Sequence, residues 1–336
     1  MSNFENKKIL IIGGTGTVGK ALVKRLLKEK AKVIRVFSRD EFKQFEMMQE
    51  YGDDERLRFL IGDIRDKFRL EFAMDQIDYV FHLAAMKHVG SCEYNPEEAI
   101  KTNVIGTKNV IKAAIKNNVS KVIFSSSDKA INPVNTYGAT KLLAEKLFVS
   151  EGSNSGSYRT KFSVVRFGNI MGSRGSVIPS IKKQVINNKE VTVTNGQMTR
   201  FMMSVSKAVE LLLRVVDRAD GGETFILKMP CIKLDDLIEC IIEETAKKYD
   251  INVSKIKKRI IGFRQGEKMY EELMTKDEAL KAMEFEDMFV IPSYFKNNKY
   301  KEKIVSEKVM DSYRSDRHEI VSREEIRKIF EDEKLI

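Results

Sequence analysis

Lys8-Ile9-Leu10-Ile11-Ile12-Gly13-Gly14-Thr15-Gly16-Thr17-Val18-Gly19, near the start of the 336-residue chain, is the stretch whose reading decides the fold. Ile9 to Ile12 make a short aliphatic run of the kind that is buried on both faces of a sheet. Glycines follow at once. Beyond them Val18 to Leu27 place apolar residues three and four apart, the period of an amphipathic helix. In this setting Gly13 allows a tight turn, Gly16 lets the backbone approach a pyrophosphate, and Gly19 lets the helix pack closely on the sheet. The helix start at Thr15, Thr17 and Val18 then offers free N–H groups and a positive dipole end to phosphates. A glycine-rich turn on a fold that has lost its ligand would read the same in isolation.

The pattern repeats outward from this unit. Val33 to Phe37, Leu57 to Ile61, Tyr79 to Leu83, Lys121 to Ser125 and Phe162 to Phe167 are brief, β-branched or aromatic runs bounded by turn residues. Helical patterns such as Ala99 to Lys116 lie between them. Strand and helix in alternation predict an α/β fold, a Rossmann-type doubly wound parallel sheet. After Gly168 the rhythm shortens: Val191 to Thr194 and Thr224 to Leu227 read as strands, Ser206 to Val216 and Leu234 to Lys247 as helices. The expected division is a dinucleotide-binding domain over 1–168 and a smaller α/β substrate-binding lobe over 169–336, with some segments free to rejoin the first sheet. The stretch from Tyr294 is rich in Lys and Glu, and a last helix is expected from Ser322 to Glu333. No repeat or low-complexity linker separates the two parts.

Composition narrows the function. The chain is 42% hydrophobic and 32% charged, and no window reaches the roughly 18 to 20 unbroken apolar residues of a membrane span. Met1 to Lys8 is polar, unlike a secretory leader. Three scattered cysteines, Cys92, Cys231 and Cys240, suit a reducing compartment, so the expected location is the cytoplasm. The net charge of +10 comes from Lys and Arg interspersed with acids, without a basic run or an aromatic platform. It therefore reads as a solvated surface and not as a nucleic-acid site. Three histidines without ligand spacing argue against a metal.

The end of the second strand speaks to the cofactor. A site for NAD would carry an acid there to hold the ribose hydroxyls. Here the run is Phe37-Ser38-Arg39-Asp40 with Lys43 one turn on, and Ser38, Arg39 and Lys43 can surround a 2′-phosphate. NADP is the expected cofactor, although Arg39 could instead be an exposed partner of Asp40. Asp63, in Gly62-Asp63-Ile64, is placed either to meet an adenine or to cap a helix.

Chemistry concentrates after the fifth strand. Tyr137 and Lys141 stand four apart on one helix face, where an ammonium would lower the phenol's pKa and let it take a proton as a substrate alcohol is oxidised. Ser125-Ser126-Ser127 ends the strand before them. Here the sequence is similar to the short-chain dehydrogenase/reductases in their extended, nucleotide-sugar-modifying form. That resemblance places Ser127 near the substrate hydroxyl and Asn103 at a position the extended members keep as Asn. Ser127-Asp128-Lys129-Ala130 adds a second acid–base pair. An epimerase has no need of one, whereas a 4,6-dehydratase must remove the carbon 5 proton and expel the carbon 6 hydroxyl. If buried together, Asp128 and Lys129 could hold unusual protonation states; otherwise they are an ion pair in a loop.

A closer resemblance runs from Lys7 to Phe289. Ala84-Ala85-Met86-Lys87-His88-Val89, Asp128-Lys129-Ala130, Arg166-Phe167-Gly168-Asn169, Gly172 to Pro179, Met198-Thr199-Arg200-Phe201 and Arg264-Gln265-Gly266-Glu267-Lys268 resemble the UDP-N-acetylglucosamine 4,6-dehydratases of surface-glycan synthesis. The resemblance implies that Tyr137 assists oxidation at carbon 4, Asp128 protonates the leaving hydroxyl and Lys129 handles the carbon 5 proton. It implies Ile64, Ala84, Ala85, Lys87 and Asn103 at the cofactor. It also implies Lys87, His88, Asn169, Arg174, Val177, Arg200, Arg264 and Glu267 at a UDP-sugar, together with self-association. Guanidinium forks suit a diphosphate and a carboxylate suits a ribose. Tyr137 sides with the branch that inverts carbon 5, while Met198 to Met203 resembles the branch bearing Met at that position. Ser127 stands where Thr is usual, and Met86 where Leu is common. A UDP-hexose 4-epimerase and a non-catalytic NADP-sensing regulator are the competing readings.

Overall fold

A computed structural model describes residues 3–153, 156, 158–188, 190–293, 304–306, 309 and 311–336. The Lys- and Glu-rich stretch falls, over 294–303, outside the described residues. In chain order the first half contains β1 (Lys8–Ile12), α1 (Thr17–Lys28), β2 (Val33–Ser38), α2 (Glu41–Tyr51), β3 (Leu57–Ile61), α3 (Lys67–Met74) and β4 (Tyr79–His82). It continues with α4 (Val89–Tyr94), α5 (Pro96–Ile100), α6 (Gly106–Lys116), β5 (Lys121–Ser127), α7 (Thr136–Ser153) and β6 (Lys161–Phe167). Ile9, Leu10, Ile11 and Ile12 are all buried, so β1 is central and covered on both faces.

These strands are parallel and lie in the order β3-β2-β1-β4-β5-β6. The chain leaves β1 toward one edge and returns at β4 toward the other. The carboxyl ends of β1 and β4 therefore flank a crevice, the position where doubly wound sheets bind ligands. Gly13, at φ +85°, turns the chain there, and a Cβ on it would lie 2.8 Å from the Ala84 backbone nitrogen. Gly19 is equally constrained: its Cβ would sit 2.6 Å from Gly13 and Gly14 backbone atoms.

The helix expected over Ala99 to Lys116 is interrupted. A π-turn at Lys101–Ile105 separates α5 from α6. The Asn103 amide within this turn donates to the Met86 carbonyl and to Thr140, while its oxygen accepts from the Met86 N–H. Gly106, just beyond, abuts Ile64 so closely that a Cβ would lie 2.6 Å away. Such one-residue bulges mark places where a side chain has been redirected inward.

The second half contributes β7 (Asn169–Ile170), α8 (Val177–Asn188), β8 (Glu190–Val193), β9 (Thr199–Met203), α9 (Val205–Arg218), β10 (Thr224–Leu227), β11 (Cys231–Lys233) and α10 (Leu234–Lys248). After these come β12 (Lys257–Ile260), β13 (Glu272–Met274), α11 (Lys276–Ala279), β14 (Met283–Glu284), β15 (Met288–Ile291), β16 (Tyr313–Arg314) and α12 (Arg323–Asp332). The run Thr224 to Leu227, expected among the later units, joins the main sheet beside β6; β15 and β14 then extend the sheet antiparallel. The amphipathic α9 packs back on α1, burying Leu212, Val215 and Val216. The remaining strands form small pairs and a three-stranded sheet, β11-β9-β7. Ile178, Ile238, Ile241 and Phe330 make a separate apolar core there.

Arg166 of β6 ties the two halves together. Its guanidinium pairs with Glu145 of α7 and Glu278 of α11 and donates to the Leu273 carbonyl at 2.9 Å. Arg166 and Glu145 are almost fully buried, with side chains 1% and 2% exposed. Removing the cation would strand buried carboxylates. Arg166→Leu should therefore lower stability by about 3 kcal/mol or more, read as a fall in the thermal midpoint; an unchanged midpoint would show that the cluster does not hold the halves together.

Candidate active site

The crevice at the sheet's carboxyl end opens into a cleft of about 740 Å³. Gly13, Thr15, Gly16, Thr17, Val18 and Gly19 form its floor, with Ser38, Arg39, Lys43, Asp63 and Ile64 at one end. Ala84, Ala85, Lys87 and His88 form one wall, Ser127, Lys129, Tyr137, Lys141 and Asn169 close the other end, and Arg174 lies over the glycine turn, its N–H donating to Thr17 at 3.4 Å. No side chain caps α1 at Gly16, so its first N–H groups remain available to phosphates.

Charges around this cleft await an anion. Lys43 is held below the ordinary lysine pKa by burial and by the neighbouring cations Arg174, Arg39 and Lys20, partly offset by Glu46. Lys87 is lowered by burial, Arg174 and Lys129. Cations clustered in this way are a site for phosphate or another multivalent anion. Thr15 and Ser38 hydroxyls bond at 2.8 Å across the glycine turn. Asp40 caps α2, accepting from the Lys43 N–H at 3.1 Å and pairing with its ammonium. Arg39 leans instead toward Asp63, 3.7 Å away. Asp63 accepts from the backbone and guanidinium of Arg65 and is not a helix cap; Asp66 has that task.

The acid–base cluster forms where β5 ends. Ser127 donates to Asp128 at 2.6 Å, and Tyr137 lines the cleft beside Ser127. Asp128 is wholly buried; the Lys129 ammonium donates to both its carboxylate oxygens at 3.1 and 3.3 Å. The Asn169 side chain meets this pair, 3.4 Å from the Lys129 ammonium. Glu271, just before β13, approaches the same ammonium at 3.4 Å. Asp128 is thus buried behind a half-buried Lys129 that faces the cleft, and the pair is not a solvated loop contact. Burial disfavours the Lys129 charge, but Asp128 and then Glu271 more than compensate and raise its pKa above the ordinary lysine range.

Two further features belong to this arrangement. Burial pushes the Tyr137 phenol up to about 12, and the cation that opposes the rise is Lys129, not Lys141. Lys141 is itself buried, donates to the Ser125 carbonyl and has its pKa lowered to about 7 by burial, opposed by Glu145. Asn103 does not line the cleft; buried behind it, the side chain holds the Met86 backbone and α7 in place.

A second cleft of about 250 Å³ adjoins the first through Asn169, Ile170, Gly175 and Ser176. Val177, Arg200, Arg264 and Glu267 line it. Arg200 is committed to the carbonyls of Thr199 and Lys268 at 2.8 and 2.9 Å and lies 3.7 Å from Glu271. Glu271 was not singled out in the sequence, although an acid flanked by Met269, Tyr270, Leu273 and Met274 is a signal of a buried charge with a purpose.

A glycine turn beneath a doubly wound sheet, with a Ser, Tyr and Lys set at the end of β5, defines an extended short-chain dehydrogenase/reductase. Residues 9–293 match the family described as Polysaccharide biosynthesis protein. A Methanocaldococcus jannaschii relative, whose name calls it an uncharacterized membrane protein, is 48% identical over 99% of this chain and 98% of its own. A Campylobacter jejuni relative named UDP-N-acetylglucosamine 4,6-dehydratase (inverting) is 46% identical over 86% of this chain and 83% of its own. A Rickettsia rickettsii relative named UDP-glucose 4-epimerase is 43% identical over 86% and 84%. The solved structure of Pen from Bacillus thuringiensis superimposes with a TM-score of 0.94, at 52% identity and 99% coverage of each chain. The chain belongs to the polysaccharide biosynthesis protein family. Among the described residues no helix is long and apolar enough to cross a membrane.

His82 lies beneath Lys141, wholly buried; its Nε2 bonds Thr107 at 3.0 Å and its Nδ1 has no partner. Burial, then Lys141, lowers its pKa from 6.5 to about 3. The folded state therefore binds fewer protons than the unfolded state between these values, and stability falls as pH drops through that window. His82→Gln, which keeps a donor for Thr107 and does not titrate, should flatten the stability curve between pH 6.5 and about 3. Identical acid-unfolding curves for the two proteins would contradict this.

Proposed function

We propose that this protein is an NADP-dependent UDP-N-acetylglucosamine 4,6-dehydratase that inverts carbon 5. The observation that carries the reading is the pair of buried Asp128 and half-buried Lys129 beside Ser127 and Tyr137 at the cleft. Oxidation and return at carbon 4 would need only Tyr137; a second acid–base pair has a use when water must be eliminated. The relatives named inverting dehydratase favour this reading. Those named UDP-glucose 4-epimerase keep epimerisation as the alternative, one that leaves this pair without a task.

A nicotinamide nucleotide held by Gly13, Gly16, Ser38, Arg39 and Lys43 would supply the hydride chemistry needed at carbons 4 and 6. Tyr137 accepts the carbon 4 hydroxyl proton while its own proton passes through Ser127 toward Asp128. The new carbonyl acidifies the carbon 5 hydrogen, which Lys129 removes. Asp128 protonates the carbon 6 oxygen as that C–O bond breaks, so hydroxyl and proton depart as water. Val177, Arg264 and Glu267 would receive the uridine and diphosphate in the smaller cleft, with Lys87, His88, Asn169, Arg174 and Arg200 at the junction.

NADP is favoured because Asp40, the carboxylate that lines the cleft just after β2, is spent on capping α2, whereas Ser38, Arg39 and Lys43 stand at the rim. Replacing Arg39 and Lys43 together by Ser should weaken NADP relative to NAD by about tenfold or more, measured by equilibrium binding. An unaltered ratio would remove these residues from the 2′-phosphate.

The function itself is tested by mass spectrometry of the nucleotide sugar after incubation with UDP-N-acetylglucosamine. Loss of one water is expected from the native protein. Lys129→Ala should yield none while the denatured protein still releases its nicotinamide nucleotide. Full dehydration by that variant would overturn the role of Lys129.

A further inference from the structure

Lys129 poses a problem for elimination, because an ammonium held between two carboxylates is not a base. We propose that Glu271 is a positioning residue for the elimination: it accepts the ammonium proton of Lys129 and so delivers the neutral amine that acts at carbon 5. The inference rests on the dehydratase reading and deepens it.

The geometry supports a carboxylate that is protonated for part of the cycle. Glu271 is 4% exposed. One oxygen, Oε1, meets the Lys129 ammonium at 3.4 Å and Arg200 Nε at 3.7 Å. The other, Oε2, is buried without any hydrogen-bond partner. A full charge with one lone oxygen unsatisfied is costly in that position, and a neutral acid much less so. Its backbone is fixed, the N–H donating to Ser315 Oγ at 3.0 Å and the carbonyl accepting from the Ser315 N–H at 2.9 Å. The charged groups facing it are Lys129 and Asp128 from the turn after β5, Arg200 from β9 and Lys268 from its own loop. Burial, partly countered by these cations, raises its affinity for a proton. Neighbouring Glu272 turns away, accepting from Asn132 at 2.7 Å.

The proton count closes. The carbon 4 hydroxyl proton reaches Asp128 through Tyr137 and Ser127 and leaves with water. An N–H bond of Lys129 breaks as an O–H bond forms on Glu271, and the freed amine takes the carbon 5 proton. Glu271 keeps the extra proton until carbon 5 is reprotonated; release of that proton to the exchangeable pool then restores the resting cluster.

Glu271→Gln in the full chain tests this, with Glu271→Asp as the conservative partner and wild type as control. The Gln variant should retain KM and single-turnover reduction of bound NADP at carbon 4. Its kcat and deuterium incorporation at carbon 5 should fall by about 100-fold. Its kcat should recover with rising pH, because solvent must now take the Lys129 proton, while wild type is level over the same range. Glu271→Asp should restore part of the rate and the level profile. Wild-type kcat in the Gln variant would overturn the proposal. So would a loss that is equal at all pH values and extends to NADP reduction, which would mark Glu271 as scaffolding alone. A wild-type protein that eliminates no water would sink the dehydratase reading instead, and the control shows that separately.

Discussion

The Lys129 ammonium lies where three separate parts of the chain meet. Asp128 holds it from the end of β5, Asn169 from the strand that leaves the main sheet, and Glu271 from the approach to β13. Burying such a charge is expensive unless its partners are in place, so the two halves must close correctly around it. The Arg166 cluster solves the same problem deeper in the protein, joining β6, α7 and α11. Two cations, half-buried Lys129 and buried Arg166, each shared between both halves, explain why the cleft has defined walls although its residues come from opposite ends of the chain.

Around that centre the electrostatics divide by place. Toward the glycine turn the groups are mutually opposed cations, Lys43, Arg39, Arg174 and Lys87, which a phosphorylated ligand would relieve. Toward β13 they are carboxylates matched against Lys129 and Arg200. Tyr137 lies near the boundary, its phenol kept neutral by burial yet linked through Ser127 to Asp128. A proton taken at the phenol thus has a short route to the carboxylate that needs it. His82 and Lys141, underneath, are cationic groups that burial holds toward neutrality, so neither competes with Lys129 as the charge that acts on the phenol.

How much of this was legible in the sequence depended on distance along the chain. The β1–turn–α1 unit could be read because strand, glycines and helix are contiguous, and its residues do floor the cleft. Asp128, Lys129, Tyr137 and Lys141 could be read together because they fall within one turn and one helix; Lys129, Tyr137 and Lys141 line the same cleft. Which cation acts on Tyr137 was not legible, since it depends on how deeply Lys141 is drawn toward Ser125. Asn103 was read at the cofactor, but the π-turn that redirects it exists only once Met86 and Thr140 are packed against it. Thr224 to Leu227 showed itself as a strand, yet nothing local could say that its neighbour would be β6. Glu271 stayed hidden for the same reason: its partner Lys129 lies in the other half of the sequence.

The central claim is that the Asp128–Lys129 pair at the cleft eliminates water from an oxidised UDP-hexosamine. Proton NMR of the purified protein with UDP-N-acetylglucosamine in deuterated buffer tests it most directly. The account predicts a new carbon 6 methyl signal, deuterium at carbon 5 and ring couplings of the inverted configuration. Conversion to the 4-epimer alone, with carbon 6 still bearing its hydroxyl, would contradict it.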